Sequence, residues 1–482
     1  MGKWNKNDLF LFFIIVILMI LIVLLTHFYG NTDIIEYLDI SKYFSGDYAA
    51  KIRTTHSYLF GFIHTPIVSI AKNFIIFKIT SLIFLFLLVY SVYTISGKNK
   101  RALWLMLLSP IVWYIAPWAS PIQIASFLFL WAYYFIKRYD ETSHLPSLFY
   151  SGFLLGLAWA FWDGIIFFWP LLIISFLYNK KFSHIIISII ALLIGLIPRL
   201  ILDYFLFNSA FFGITRYIFA TLSFMFYGGL YNQGRDFGLF LLIQVLFFLP
   251  FYSFLLFSKR IFKGNKKSII FLILSFPVLI FNSQIRFALL ITPIIILILV
   301  KYLNKKQYII QLAIFIILTL LVINPYLIQI KYETNGDDFG NLVKNLFNLK
   351  FKGEFNRDLI SLDLNNIAKD YPNQIFVVGN TADFYRILAN IYWGDKVKEF
   401  VSIEDYSLYL KNDSIISKRE FCSDLNIKER RDICISVWIE KNSKDNTDYN
   451  SIKYAISEDS SLSLSNFTLI KKYRTLSLFE KN

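Results

Sequence analysis

Through the first two thirds of the chain, long apolar blocks alternate with short polar connections. About 20 apolar residues, rising 1.5 Å each, match a hydrocarbon core of roughly 30 Å, so the pattern predicts membrane-crossing helices. The blocks lie near Leu9 to Phe28, Phe74 to Ile95, Ala102 to Pro117, Pro121 to Ile136, Leu148 to Phe161 and Ile165 to Tyr178. Others lie near His184 to Leu200, Phe237 to Phe257, Ser268 to Phe281, Phe287 to Val300 and Tyr308 to Gln329. Several fall short of ~20 residues and predict paired hairpins or helices prolonged by polar turns. The fold class expected is a multi-spanning α-helical membrane protein of about eleven spans.

The polar connections sort by charge. Lys3 and Lys6, Lys98 to Arg101, Lys137 and Arg138, Lys180 and Lys181, Lys259 to Lys267 and Lys301 to Lys306 share one side if the spans alternate. The positive-inside rule makes that side cytoplasmic, with the N-terminus inside and the plasma membrane as the bilayer. The other side carries Asp33 to Asp47, Asp163, Asp203 and Asp236, with Arg53, Arg199, Arg216, Arg235 and Arg286. Composition agrees: 56% hydrophobic, 19% aromatic, mean hydropathy +0.55. The net charge of +15 resides largely in those lysine clusters, so it reports topology and not a nucleic-acid partner. No small-residue cleavage site follows the first block, which reads as a retained anchor.

An odd span count puts everything after about residue 330 outside. Composition there turns charged and Asn/Ser-rich, with an apolar strand at Ile375 to Val378 and a helical pattern from Ala382 to Ile391. Residues 1–330 are therefore expected to form the membrane domain and 331–482 an exterior α/β domain. Cys422 and Cys434, the two cysteines, fall in this tail and are expected to pair in an oxidising compartment. Two cysteines exclude a zinc framework. Asn412 and Asn466 head glycosylation-type triplets.

The acidic segment behind the first block carries the candidate chemistry. On a helix, Asp33, Glu36, Tyr37, Ile40 and Phe44 share one face, since offsets of three, four, seven and eleven return to nearly the same angle. Such a helix suits a membrane surface, one side in lipid and the other over a cavity. The alternative is a solvated loop. Desolvation and crowding by Glu36 would raise the Asp33 pKa and make it a better base.

Asp33, Tyr37 and then Gly46-Asp47-Tyr48 behind the first span resemble the opening motif of GT-C glycosyltransferases that use polyprenyl-phosphate sugars, the protein mannosyltransferase and aminoarabinose transferase group. Gly152 to Leu157 resembles the group's Gly-rich fifth span, and Arg286-Phe287 with Thr292-Pro293 its Arg-aromatic and Pro motif. The resemblance covers roughly residues 1–330. It implies an inverting transfer from a dolichyl or undecaprenyl carrier to a protein, glycan or lipid acceptor, with Asp33 catalytic. The group's Arg-Pro after the Gly-rich span is replaced by Trp162-Asp163, and acids near the third and fourth spans by Ser120, Pro121 and Gln123. A divalent cation such as magnesium or manganese thus stays open as the one cofactor.

A leaving phosphate needs cations, and arginine's planar fork binds two oxygens at once. Arg286 sits in a short connection and is the first choice, against the alternative of an interfacial anchor. Arg199, Lys51, Arg53, Tyr37 and His56 complete the substrate-binding candidates, with His64 nearby. Arg199 and Asp203 are four apart and read more simply as a helix-surface pair, and Asp163 as a cap for the helix after it. The aromatic segment Asn208 to Arg235 reads as a re-entrant or surface-lying lid. Rival classes are a secondary transporter, which should show inverted repeats, a membrane scaffold or sensor, and a polysaccharide polymerase or ligase.

Overall fold

The first apolar block forms helix α1 (Lys6–Leu25), which buries Met19, Ile22 and Val23 and exposes Leu9, Phe10, Phe13, Ile17 and Leu21. An apolar helix so uncovered is matched to hydrocarbon, not water. This computed structural model describes residues 6–26, 33–46, 57–71, 75–215, 217–218, 246–281, 285–332, 356–379, 397, 399–410, 448–458, 464 and 466–482. The chain divides into two compact units. One holds Met1–Val23, Thr55–Phe60 and Phe77–Asn324; the other holds Leu24–Thr54, Gly61–Ile76 and Pro325–Asn482.

Up to residue 332 the described chain is helical. α2 (Asp33–Phe44) and α4 (Thr65–Ala71) belong to the second unit, and α3 (Leu59–Ile63) spans its boundary. The helices that follow, mostly of the larger unit, are α5 (Ile75–Ile95), α6 (Lys100–Leu107), α7 (Pro110–Ile115), α8 (Ile122–Thr142) and α9 (Leu145–Phe161). Then follow α10 (Trp169–Leu177), α11 (Phe182–Phe207), α12 (Lys259–Phe281), α13 (Ala288–Leu299) and α14 (Lys305–Tyr332). Among the described residues, Lys6–Leu25, Ile75–Ile95, Phe182–Leu206 and Lys305–Asn324 are long and apolar enough to cross a membrane, with shorter apolar helices between them.

The expected span Ala102 to Pro117 is instead broken into α6 and α7. Pro110 has no N–H to give and pushes Ser109 into an extended conformation (φ −69°, ψ 132°). The carbonyls released by the break are recaptured: Trp113 Nε1 donates to Leu107 O at 2.9 Å and Thr319 Oγ1 to Leu108 O at 2.9 Å. Broken helix at membrane depth is tolerated only when its polar groups are satisfied by protein in this way.

Helices α9 and α11 meet along a seam of small residues. A Cβ at Gly152 or Gly156 would run into the carbonyls of Ser188 and Leu192, and one at Gly195 into that of Phe153. Only glycine permits so close an approach of two backbones. The Gly-rich stretch singled out in the sequence is therefore a packing surface, and it brings the C-terminal ends of both helices together.

In the second unit, α15 (Asn356–Asp370), β1 (Ile375–Val378), β2 (Glu399–Ser402), α16 (Ile403–Leu410), β3 (Tyr454–Ser457), β4 (Phe467–Lys472) and β5 (Ser477–Lys481) build a small α/β fold. The sheet order is β2-β1-β3-β5-β4. β2, β1 and β3 are parallel, and β5 pairs antiparallel with β3 and β4. Strand alternation sends Phe376 and Val378 into a core with Ile360, Leu364 and Ile367 of α15. It sends Ile375 and Val377 into a second core with Tyr406 of α16. Burial on both faces explains the unbroken apolar run of β1. Asp363 secures the β4–β5 turn, accepting from Thr475 N at 2.5 Å and Leu476 N at 3.2 Å. The helix expected at Ala382 to Ile391 and both cysteines lie outside the described residues.

Candidate active site

Asp33 is the first residue of α2, so the face predicted from its spacing belongs to a helix. The helix is more enclosed than expected. Tyr37, Leu38, Asp39, Ile40 and Ser41 are all buried, and Glu36 is half-buried. Burial of consecutive positions means that protein wraps α2 on more than one side, where the sequence suggested one flank in lipid. Ser41 Oγ donates to Gly61 O at 2.5 Å, and a Cβ on Gly61 would lie 2.6 Å from Tyr37 O. Glycine at 61 thus lets the returning chain lie on α2. His64, buried, occupies the turn after α3. Lys51, Arg53 and His56 lie outside the described residues, as does the Asn208 to Arg235 segment from Arg216 onward apart from Tyr217 and Ile218.

In the larger unit the structure joins residues that the sequence kept apart. α9 stops at Phe161, Trp162 is extended (φ −145°, ψ 121°), and a 3-10 turn spans Asp163–Phe167. Asp163 makes no capping hydrogen bond; it pairs instead with Arg199 Nη1. Arg199 also faces Asp203, with Nε 3.9 Å from Oδ2, and donates to Trp159 O at 3.4 Å. Gly213 N donates to Asp203 Oδ2 at 3.0 Å. The pair expected on a helix surface is in fact a trio that is at most 1% exposed. The α9–α11 seam causes this, because it delivers the ends of both helices to one spot. The sequence offered Asp163 only as a cap; its pairing with Arg199 was not visible there, because the partner lies 36 residues away.

Arg286 lies in a 3-10 turn, Ile285–Phe287, that leads into α13. It is 8% exposed, whereas an anchor reaching out to lipid would be open. Next to it, Phe287 packs at a tilt against Trp162 (ring centroids 4.8 Å) and meets Phe168 at 5.6 Å. A Cβ on Gly164 would sit 2.5 Å from Trp162 and 2.7 Å from Phe287, so glycine allows the tip to close on the ring. The Trp162-Asp163-Gly164 tip is therefore seated against the turn that carries Arg286.

Lys78 is a further basic side chain whose place the spacing of the sequence did not flag. It is fully buried in α5, and its Nζ donates to Val23 O at 3.1 Å. A lone lysine in an apolar span was the available signal, since such groups are functional hypotheses by default. Gln123 donates to Ile115 O and Trp118 O, both at 3.1 Å, so it stitches the break after α7. Among the described residues no three His, Cys, Asp or Glu side chains form a cation-holding group.

No protein-family model and no curated protein matches this chain in sequence. Solved structures do match it in fold. ArnT from Cupriavidus metallidurans bound to undecaprenyl phosphate aligns with TM-score 0.56 at 10% identity, covering 99% of this chain and 98% of that one. The apo state of the same protein gives 0.57 at 10% identity, with 98% of each chain covered. The Archaeoglobus fulgidus oligosaccharyltransferase aligns at 0.39, below the level of a shared fold. At that identity the likeness is one of fold: the chain shares the overall fold of this ArnT along its whole length.

Proposed function

We propose that this protein is a membrane glycosyltransferase that moves a sugar from a polyprenyl-phosphate carrier to an acceptor hydroxyl at the outer face of the plasma membrane. The observation that carries the reading is the end-to-end fold match to a protein bound to undecaprenyl phosphate. The acidic helix behind the first span supports it, because a transferase needs a carboxylate where lipid headgroups lie.

In this reading Asp33 takes the acceptor's hydroxyl proton as its oxygen attacks the anomeric carbon. The bond from that carbon to the phosphate oxygen breaks on the opposite side, so configuration inverts and the lipid phosphate departs with the electron pair. Glu36, three residues along the same helix, tunes Asp33 by like-charge crowding. Arg286 neutralises the departing phosphate. The C-terminal α/β domain, residues 331–482, is exterior and helps to select the acceptor.

The test is transfer by purified protein in lipid, offered a panel of radiolabelled undecaprenyl- and dolichyl-phosphate sugars with protein, glycan and lipid acceptors. Label should reach an acceptor from at least one donor, with inverted anomeric configuration. Absence of transfer from every donor would overturn the reading in favour of a transporter or scaffold.

A further inference from the structure

We infer that Asp163, Arg199 and Asp203 are positioning residues that hold the Arg286 turn in the geometry needed to receive a lipid-linked phosphate. The inference rests on the reading of Arg286 given above and extends it to three residues that touch no substrate.

The trio is costly as a stabilising element. Two carboxylates share one guanidinium, all at most 1% exposed, which leaves a net negative charge inside the fold. Asp163 Oδ2, Asp203 Oδ1 and Arg199 Nε have no hydrogen-bond partner among the described residues. Buried ion groups so incompletely satisfied give little or no net stability compared with an apolar replacement, yet they fix which groups lie side by side. What these groups fix is specific. Arg199 ties α11 to the end of α9 through Trp159 O and Asp163, while Asp203 ties in Gly213.

Asp163 stands between Trp162 and Gly164, the two residues that close on Phe287. Phe287 is covalently next to Arg286 and meets two further rings, Phe167 at 6.3 Å and Phe168 at 5.6 Å. The path from charge to phosphate ligand is therefore short and made of rigid parts: Arg199, Asp163, the Trp162 ring, the Phe287 ring, the backbone of Arg286. A 3-10 turn of three residues has little hydrogen bonding of its own to set its direction, so the rings supply it. A misplacement of about 1 Å at a phosphate ligand is enough to cost ~100-fold in a transfer reaction.

The experiment measures binding of undecaprenyl phosphate, and separately of undecaprenol, to the full chain in nanodiscs for wild type, Asp163→Asn, Phe287→Leu, Arg286→Gln and the Asp163→Asn/Arg286→Gln double variant. Arg286→Gln should weaken phosphate binding about tenfold, the loss of one charge-assisted contact. Asp163→Asn and Phe287→Leu should each weaken it several-fold and leave undecaprenol binding unchanged. The double variant should be no weaker than Arg286→Gln alone, because the effect runs through that residue. Phe287→Leu leaves the charges intact and carries the test if Asp163→Asn fails to fold. Wild-type phosphate binding in Phe287→Leu and in folded Asp163→Asn, beside weakened Arg286→Gln, would overturn the inference while sparing the Arg286 reading. Additive losses in the double variant, or equal losses of undecaprenol binding, would reduce the trio to a structural role and also overturn it. Wild-type phosphate binding in Arg286→Gln would overturn the reading of Arg286 itself, and this inference with it.

Discussion

Two three-charge clusters sit at different places in the larger unit and solve opposite problems. Asp140 of α8 lies between Lys267 of α12 at 2.6 Å and Lys180 at 3.5 Å, all 21–26% exposed. Arg199 lies between Asp163 and Asp203, all buried to 1% or less. The first balances an excess of positive charge in reach of water; the second holds an excess of negative charge without it. Exposed pairs are screened and contribute little, whereas a buried pair becomes strongly destabilising once one partner is lost. Equal numbers of ions therefore predict unequal consequences. The difference marks the Arg199 cluster as the one whose arrangement matters to its neighbours.

Removing the shared ion breaks the comparison most sharply. Arg199→Leu strands two buried carboxylates and should cost about 3–5 kcal/mol, read as a lowered thermal midpoint in detergent. Replacing Arg199, Asp163 and Asp203 together with leucine should recover most of that stability, because no buried charge remains unpaired. Failure to recover would mean that the cluster is itself a principal source of stability. Next comes the seam that builds the cluster. Gly156→Val would push a side chain into the Leu192 carbonyl and should cost ~1–3 kcal/mol, with hydrogen exchange speeding up at the ends of α9 and α11.

At the lysine-rich rim, Lys267→Ala should cost less than about 1 kcal/mol, and the loss should shrink in high salt. Lys267 also donates to Phe176 O at 2.9 Å, so a larger, salt-independent loss would show that this bond outweighs the ion pair. The smallest effect belongs to the exposed Asp370 in the sheet domain. The hydrogen bonds from Lys471 (2.7 Å) and Tyr473 (2.9 Å) hold its carboxyl below its ordinary pKa. A depressed folded pKa gives stability that is present above the unfolded carboxylate value and is lost as pH falls through the folded one. Protection of β4 and β5 against hydrogen exchange should weaken slightly on acidification, and Asp370→Asn should remove that dependence.

The sequence revealed what local periodicity governs. The helix behind the first span, the strand Ile375–Val378 and the ends of most apolar blocks follow from spacing of two or of three and four residues. Non-local chemistry stayed hidden. The four-residue offset of Arg199 and Asp203 was visible, but the third partner enters only because glycines at 152, 156 and 195 bring two helices into contact. Pro110 was readable as a helix breaker, yet an apolar run on both sides of it looks the same in a span and in two buried segments. Lys78 stood alone in its block and offered no spacing to a partner, although its place in hydrocarbon was itself the clue.

The most direct test of the account compares wild type with Asp33→Asn for sugar transfer from a polyprenyl-phosphate donor, with undecaprenyl phosphate binding measured on the same preparations. The account predicts that transfer falls by about 100-fold or more, as loss of a general base entails, while binding persists. Undiminished transfer by Asp33→Asn would contradict it.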